Sequence, residues 1–267
     1  MLTLLGAGQG QNNSFDVSYQ AILNYAIAQG YTLPSSSQQL KQNTLLKNLK
    51  TNGVWYKLDS FAVMATDGGT NYSLIDWKKL TQMTAVNSPV FTVNQGFKGN
   101  GTSAYINTGF IPSSLNNNYS LNNASFGYWA FSFFEADANK VNIGVRNSSS
   151  LALTYATGSN ESFLILNTNN VTNTILSTSS GAIGFRHFNR INSSGSNYYN
   201  ASGLVGSNTN ISGALSTLPF YLFCLNSGGS PTAFSSTDMS FFFAGSSLVA
   251  ENANFESSLK TYITSLW

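Results

Sequence analysis

Along this chain the hydrophobic positions change period twice. Between residues 15 and 52 they recur at helical spacing. Phe15, Tyr19, Ile22, Leu23 and Ala26 follow i, i+4, i+7, i+8, i+11 and share one helix face. Ser14 stands in position to cap this helix, Gly30 to end it and Pro34 to prevent its resumption. Ser36 with Gln39 three residues on is a capping-box pair for a second helix, with Leu40, Leu46 and Leu49 as its buried stripe and Asn52-Gly53 as its end. Helices this short need another surface for their apolar faces. The pattern predicts a helical hairpin packed against something else.

From residue 54 the period changes. Val54-Trp55-Tyr56 and Phe61-Ala62-Val63-Met64 are β-prone, and Asp67-Gly68-Gly69 reads as a turn. Short β-prone runs follow at 90–93, 103–107, 126–134, 141–145, 151–155, 162–166, 182–188, 218–225 and 239–243, separated by Asn, Ser and Gly clusters. No helical pattern interrupts them, which argues an antiparallel sandwich or jelly roll. At the end the helical period returns. Phe255, Leu259, Tyr262, Ile263 and Leu266 form a stripe, with Glu251 and Glu256 toward the positive end of the helix and Lys260 later. The expected fold class is mainly β: an antiparallel β-sandwich with an N-terminal helical hairpin and a C-terminal helix. The expected division is a flexible N-terminal anchor (1–14), the hairpin and connector (15–66), and the sandwich ending in an amphipathic helix (67–267).

Composition narrows the surface. Aromatic residues make up 13% and hydrophobic residues 42% of the 267 positions, too much apolar mass for a disordered chain. Charged residues reach only 8%, about a third of the usual share. The polar surface must therefore come from Asn, Ser, Thr, Gln and Gly, a hydrogen-bonding and weakly charged exterior found in carbohydrate-binding modules and in outer proteins of viruses. A net charge of +2 leaves no electrostatic footprint for nucleic acid, and Lys78-Lys79, the one basic doublet, reads as a solvated turn. Cys224 is the single cysteine, so no disulfide framework exists, and it reads as a buried small hydrophobe. No apolar stretch reaches the roughly 18 residues that span a bilayer. At the N-terminus Leu2, Leu4 and Leu5 form a short apolar tag before Gly6, Gly8 and Gly10; this segment lacks the basic start and long apolar region of a secretory signal.

Candidate chemistry is sparse. Glu135 and Asp137 lie two apart, on one face if extended, but they read as a turn and no third carboxylate continues the alternation; a retaining glycosidase needs two carboxyls about 5 Å apart. His187 is the only histidine, so any Ser-His-Asp set would need it, and it reads as a structural residue between aromatics. One His and one Cys cannot supply a zinc site. Asp67-Gly68-Gly69-Thr70-Asn71 with Asp76 could hold calcium, although a plain turn explains it. Gly96-Phe97-Lys98-Gly99-Asn100-Gly101 lacks the Ser/Thr and helix of a phosphate loop. No catalytic residue, metal ligand or cofactor is expected. Sugar binding fits best, with Trp129, Tyr155, Tyr198 and Tyr199 as stacking rings. Tyr198-Tyr199 would lie in a polar loop with one ring exposed, whereas strand alternation could bury Trp129. The sequon at Asn100 follows from composition and implies no modification.

The segment 94–108 (NQGFKGNGTSAYINT) resembles the first sandwich strand of concanavalin A-like, laminin-G-like domains, where a Gly-rich turn leads into a strand carrying an aromatic and then an aliphatic residue. SFGYWAF (125–131) resembles the next strand, and MSFFFAGSSL (239–248) before a helix resembles their ending. A second resemblance runs through 19–34, 53–67, 74–78 and 87–102, and is similar to virion and tail-associated proteins of phages of Bacteroidetes-type bacteria. It implies a non-enzymatic capsid decoration, spike or fibre subunit on the particle surface. Leu2, Leu4 and Leu5 would anchor it to other virion proteins, copies would associate as a homo-oligomer, and the sandwich would contact host surface carbohydrate. A lectin module independent of a virion is the alternative, and a concanavalin A-like glycosidase a third.

Overall fold

The computed structural model describes residues 15–132, 140–147, 150–157, 161–168 and 183–267; within 150–168 side-chain detail is confined to Ala152 and residues 166–168. The helical part comes first, with α1 (Val17–Ala28), α2 (Ser36–Thr51) and α3 (Val54–Lys57), then β1 (Leu58–Val63) and α4 (Thr70–Ser73). Short strands follow: β2 (Ile75–Asp76), β3 (Thr81–Gln82), β4 (Thr84–Val86), β5 (Val90–Thr92), β6 (Gly96–Lys98) and β7 (Tyr105–Asn107). The long strands are β8 (Ala124–Ala130), β9 (Lys140–Asn147), β10 (Ser150–Thr157), β11 (Glu161–Thr168), β12 (Gly184–Asn192), β13 (Gly195–Asn200) and β14 (Gly203–Asn208). The chain closes with β15 (Tyr221–Leu222), β16 (Leu225–Ser227), β17 (Ser230–Thr232), β18 (Asp238–Gly245) and α5 (Asn252–Ser265).

Two sheets form the sandwich. One runs β14-β13-β12-β8-β18-β6-β5, with β1 also on β18; the other runs β11-β10-β9-β15-β7-β4, with β16 beside β9 and β17 beside β16. All pairings are antiparallel except β16 with β9. The helices cover the outer face of the first sheet and make a third layer. This explains why β8 and β18 are buried at every position, as expected for strands packed on both faces. Phe126, Tyr128, Phe188 and Phe242 point into the sandwich core, while Trp129, Phe185, Phe241 and Phe243 join the cluster under the helices. Each fully buried phenylalanine is worth on the order of 2 kcal/mol. Gly127 makes this packing fit: a Cβ there would lie 2.1 Å from the Arg186 carbonyl and 2.4 Å from the Phe243 ring.

The helical elements form much as the periodicity predicts, with shifted caps. Ser14 lies outside the described residues. Asp16 caps α1, accepting from Ser18 N at 2.9 Å and pairing with Lys50 of α2 at 2.6 Å. The cap of α2 is Ser35, not Ser36, because the Ser35 hydroxyl accepts from Gln38 N. Leu40 is 48% exposed and Leu45 takes its place in the buried stripe with Leu46 and Leu49. Val54-Trp55-Tyr56 is helical (α3), a correction that follows from Gly53, whose φ of 74° turns the chain there. The expected connector also contains β1, which pairs with β18.

Two further differences concern strands. The run 218–225 breaks at Phe223, φ 68°, so that β15 pairs antiparallel with β9 and β16 parallel to it. Residues 195–208 form the hairpin β13–β14, which puts Tyr198-Tyr199 on a strand and not in the expected polar loop.

Candidate functional site

Alternation along β8 turns Trp129 away from the sandwich core and toward α5. Beyond β8 the chain continues to Phe131 and Ser132, whose backbone N–H groups donate to the Asp238 carboxylate at 2.8 and 2.9 Å. On α5, Glu256, Lys260 and Ile263 recur at i, i+4, i+7 and face the same edge. Ile183 and Gly184 at the start of β12, with Ala201 after β13, complete a cleft of about 210 Å³. The ring of Trp267 lies 6.0 Å from that of Phe131 and is 74% exposed.

This cleft combines ring and aliphatic surface with one acceptor and one ammonium. Glu256 Oε1 is buried and has no hydrogen-bond partner among the described residues, and Lys260 is exposed. A carboxylate is acceptor-only and an ammonium donor-only, so the pair can address hydroxyls while the rings take the apolar face of a sugar. Glu256 is the one carboxylate among the described lining residues.

The four expected stacking rings fare differently. Trp129 lines the cleft but is 8% exposed, so it offers an edge. Tyr198 and Tyr199 are not in a loop and neither ring is exposed; both lie on β13. Strand alternation sends Tyr198 onto Phe188 at 4.8 Å in the sandwich core, and Tyr199 toward His187 on the helix side. Tyr155 lies on β10 opposite Val141 and Phe163, with its side chain outside the described ones. Leu2, Leu4, Leu5, Glu135 and Asp137 also lie outside the described residues. Phe131, Ile183, Glu256, Lys260 and Trp267 were not legible as a site, since they come together from three separate segments.

The remaining candidates resolve individually. His187 is fully buried among Phe185, Phe243 and Phe255, with Nδ1 2.7 Å from Asn252 Oδ1. Burial pulls its pKa down to about 4, against the hydrogen bond to Asn252. Asp67 and Asp76 do not converge on a calcium site. Asp67 accepts from Ser35 N and Oγ, while Asp76 is buried and accepts from Ser60 Oγ and three backbone N–H groups. Among the described residues no group of three potential metal-ligating side chains forms. Cys224 is buried, as read, and burial pushes its thiol up. Asn100 Oδ1 accepts from the N–H groups of Thr102, Ser103 and Ala104, so the Gly-rich segment is a side-chain-held turn leading toward β7. Among the described residues no helix is long and apolar enough to cross a membrane.

No protein-family profile and no curated protein matches the sequence. Solved structures do match in fold. A Trypanosoma rangeli sialidase mutant displaying trans-sialidase activity superposes with a TM-score of 0.55 at 12% identity, over 83% of this chain and 39% of its own. The botulinum neurotoxin serotype D binding domain gives 0.52 at 11% identity, over 77% and 52%. The serotype G binding domain gives 0.51 at 14%, over 76% and 50%. The chain thus spans about half or less of these proteins. At such identities the likeness is one of fold alone.

Proposed function

We propose that the protein is a non-enzymatic glycan-binding β-sandwich carried on the surface of a phage particle, with the cleft beneath α5 as its sugar contact. The observation that carries the glycan reading is the cleft itself, where Trp129 and Phe131 stand with Glu256 and Lys260 and the exposed ring of Trp267 lies against Phe131. The surface, 8% charged and rich in amides and hydroxyls, supports it. So does the likeness in fold to a sialidase and to toxin binding domains. The virion role rests on the sequence resemblance to phage structural proteins, with Leu2, Leu4 and Leu5 as the anchor to other virion proteins and with copies associating as a homo-oligomer.

A glycan array probed with the full chain tests the first part, and mass spectrometry of purified particles the second. Binding that survives removal of the cleft rings would sink the assignment of the site. Binding together with absence from particles would leave a lectin acting by itself, the second reading, which the cleft favours equally.

A further inference from the structure

A second pocket, sharing no lining residue with the cleft, opens between α1, α3 and the turn after β2. It has a volume of about 200 Å³ and is lined by Ser18, Ala21, Trp55, Trp77, Lys78 and Leu80. Lys78 lies in the turn after β2, as expected, but is half-buried while Lys79 is exposed. The Lys78 ammonium sits 4.4 Å from the centre of the Trp55 ring and donates to the Trp55 carbonyl at 2.7 Å, with two further N–H bonds to give. Trp77 is 2% exposed, and its indole nitrogen is buried with no hydrogen-bond partner among the described residues. An indole N–H can only donate.

The side chains around this pocket supply donors and almost no acceptor. The nearby carboxylates are already engaged. Asp16 binds Lys50 and Ser18 N, Asp59 binds Asn118 and Tyr119 N, and Asp76 holds Ser60 and the backbone of Phe61, Lys78 and Lys79. Among the lining side chains the Ser18 hydroxyl is the one group that can accept. We propose that this pocket binds a carboxylate group, held by the Trp77 indole N–H and the Lys78 ammonium, with the Trp55 ring and Leu80 covering the apolar remainder of the ligand. Burial pulls the Lys78 ammonium below the ordinary lysine range despite Asp59 and Asp76, and an added anion would relieve that. The site is independent of the glycan reading.

A free organic acid and an acidic sugar present the same carboxylate chemistry, and NMR on the full ¹⁵N-labelled chain separates them. The four indole N–H signals, of Trp55, Trp77, Trp129 and Trp267, are assigned by single Trp→Phe substitutions. Sodium acetate is then titrated at constant ionic strength against sodium chloride, with acetamide as the neutral control. The Trp77 signal should shift saturably with acetate only, and Lys78→Met, checked for an unchanged melting profile, should weaken that response at least tenfold. Glucuronate saturating at lower concentration than acetate would identify an acidic sugar; acetate alone acting would identify a small free acid. The proposal is overturned if Trp77 shifts no more in acetate than in chloride, or if the Lys78→Met chain titrates like the native one.

Discussion

Gln42 and Tyr262 meet in the layer between helices and sheet, the amide Nε2 donating to the phenol oxygen at 3.2 Å across 220 positions of sequence. The same amide donates to Thr66 Oγ1 at 3.2 Å, and its carbonyl accepts from Tyr19 and Tyr72, each at 2.8 Å. Tyr262 in turn donates to the Ala65 carbonyl at 2.8 Å. Burial pushes all three phenols up, which keeps them protonated donors. One fully buried side chain therefore ties α1, α2, α4 and α5 to the segment after β1.

Gln42→Leu should be costly. It keeps apolar bulk but leaves two buried hydroxyls without their acceptor, at about 1–3 kcal/mol each. A loss of about 3 kcal/mol in urea unfolding is expected. A loss below about 1 kcal/mol would show that the network contributes little.

Stability should fall on acidification through His187. Its folded pKa of about 4 lies below its unfolded value, so the unfolded state binds more protons between about pH 6.5 and 4. The contribution is fully present above that window and is lost as pH falls through it, on the order of 3 kcal/mol in all. The groups in described contact with His187 are Asn252, Asn189, Phe185, Tyr199, Phe243 and Phe255, none charged. Unfolding midpoints of the native chain and of His187→Gln should therefore converge as pH drops from 7 to 4, and parallel curves would refute this.

Gly127→Ala should prevent folding or cost more than about 3 kcal/mol. The added methyl meets a backbone carbonyl at 2.1 Å, and β8 lies between β12 and β18, so neither neighbour can withdraw. Soluble expression and thermal melting provide the check; a melt like the native one would contradict the packing described.

Trp267→Ala and Trp129→Ala should separate binding from stability. Trp267 is 74% exposed, so its loss should reduce glycan binding at least tenfold with little change in melting. Trp129 belongs to the buried cluster under the helices, so its loss should lower both. Unchanged glycan affinity in Trp267→Ala would remove that ring from the site.

The elements were largely legible because their signals are local. The i, i+4, i+7 stripe from Tyr19 to Ala26 and that from Phe255 to Ile263 are buried as helical period demands. Misreadings arose where a single backbone torsion or a distant partner decided. Gly53 turned a β-prone Val-Trp-Tyr into helix, Phe223 broke a continuous apolar run, and Phe188 drew Tyr198 out of an apparently polar segment.

By itself the sequence determined a helical hairpin, a run of short strands and a terminal helix, because hydrophobic period and turn residues act within a few positions. It also determined a surface poor in charge. Only the tertiary structure decided that one sheet is covered on both faces, since Phe241 and Phe242 look equivalent in sequence and reach opposite layers. It alone brought Trp129, Phe131, Glu256 and Lys260 to one cleft. Such sites depend on which elements lie side by side, and residues more than a hundred positions apart carry no local signal of that.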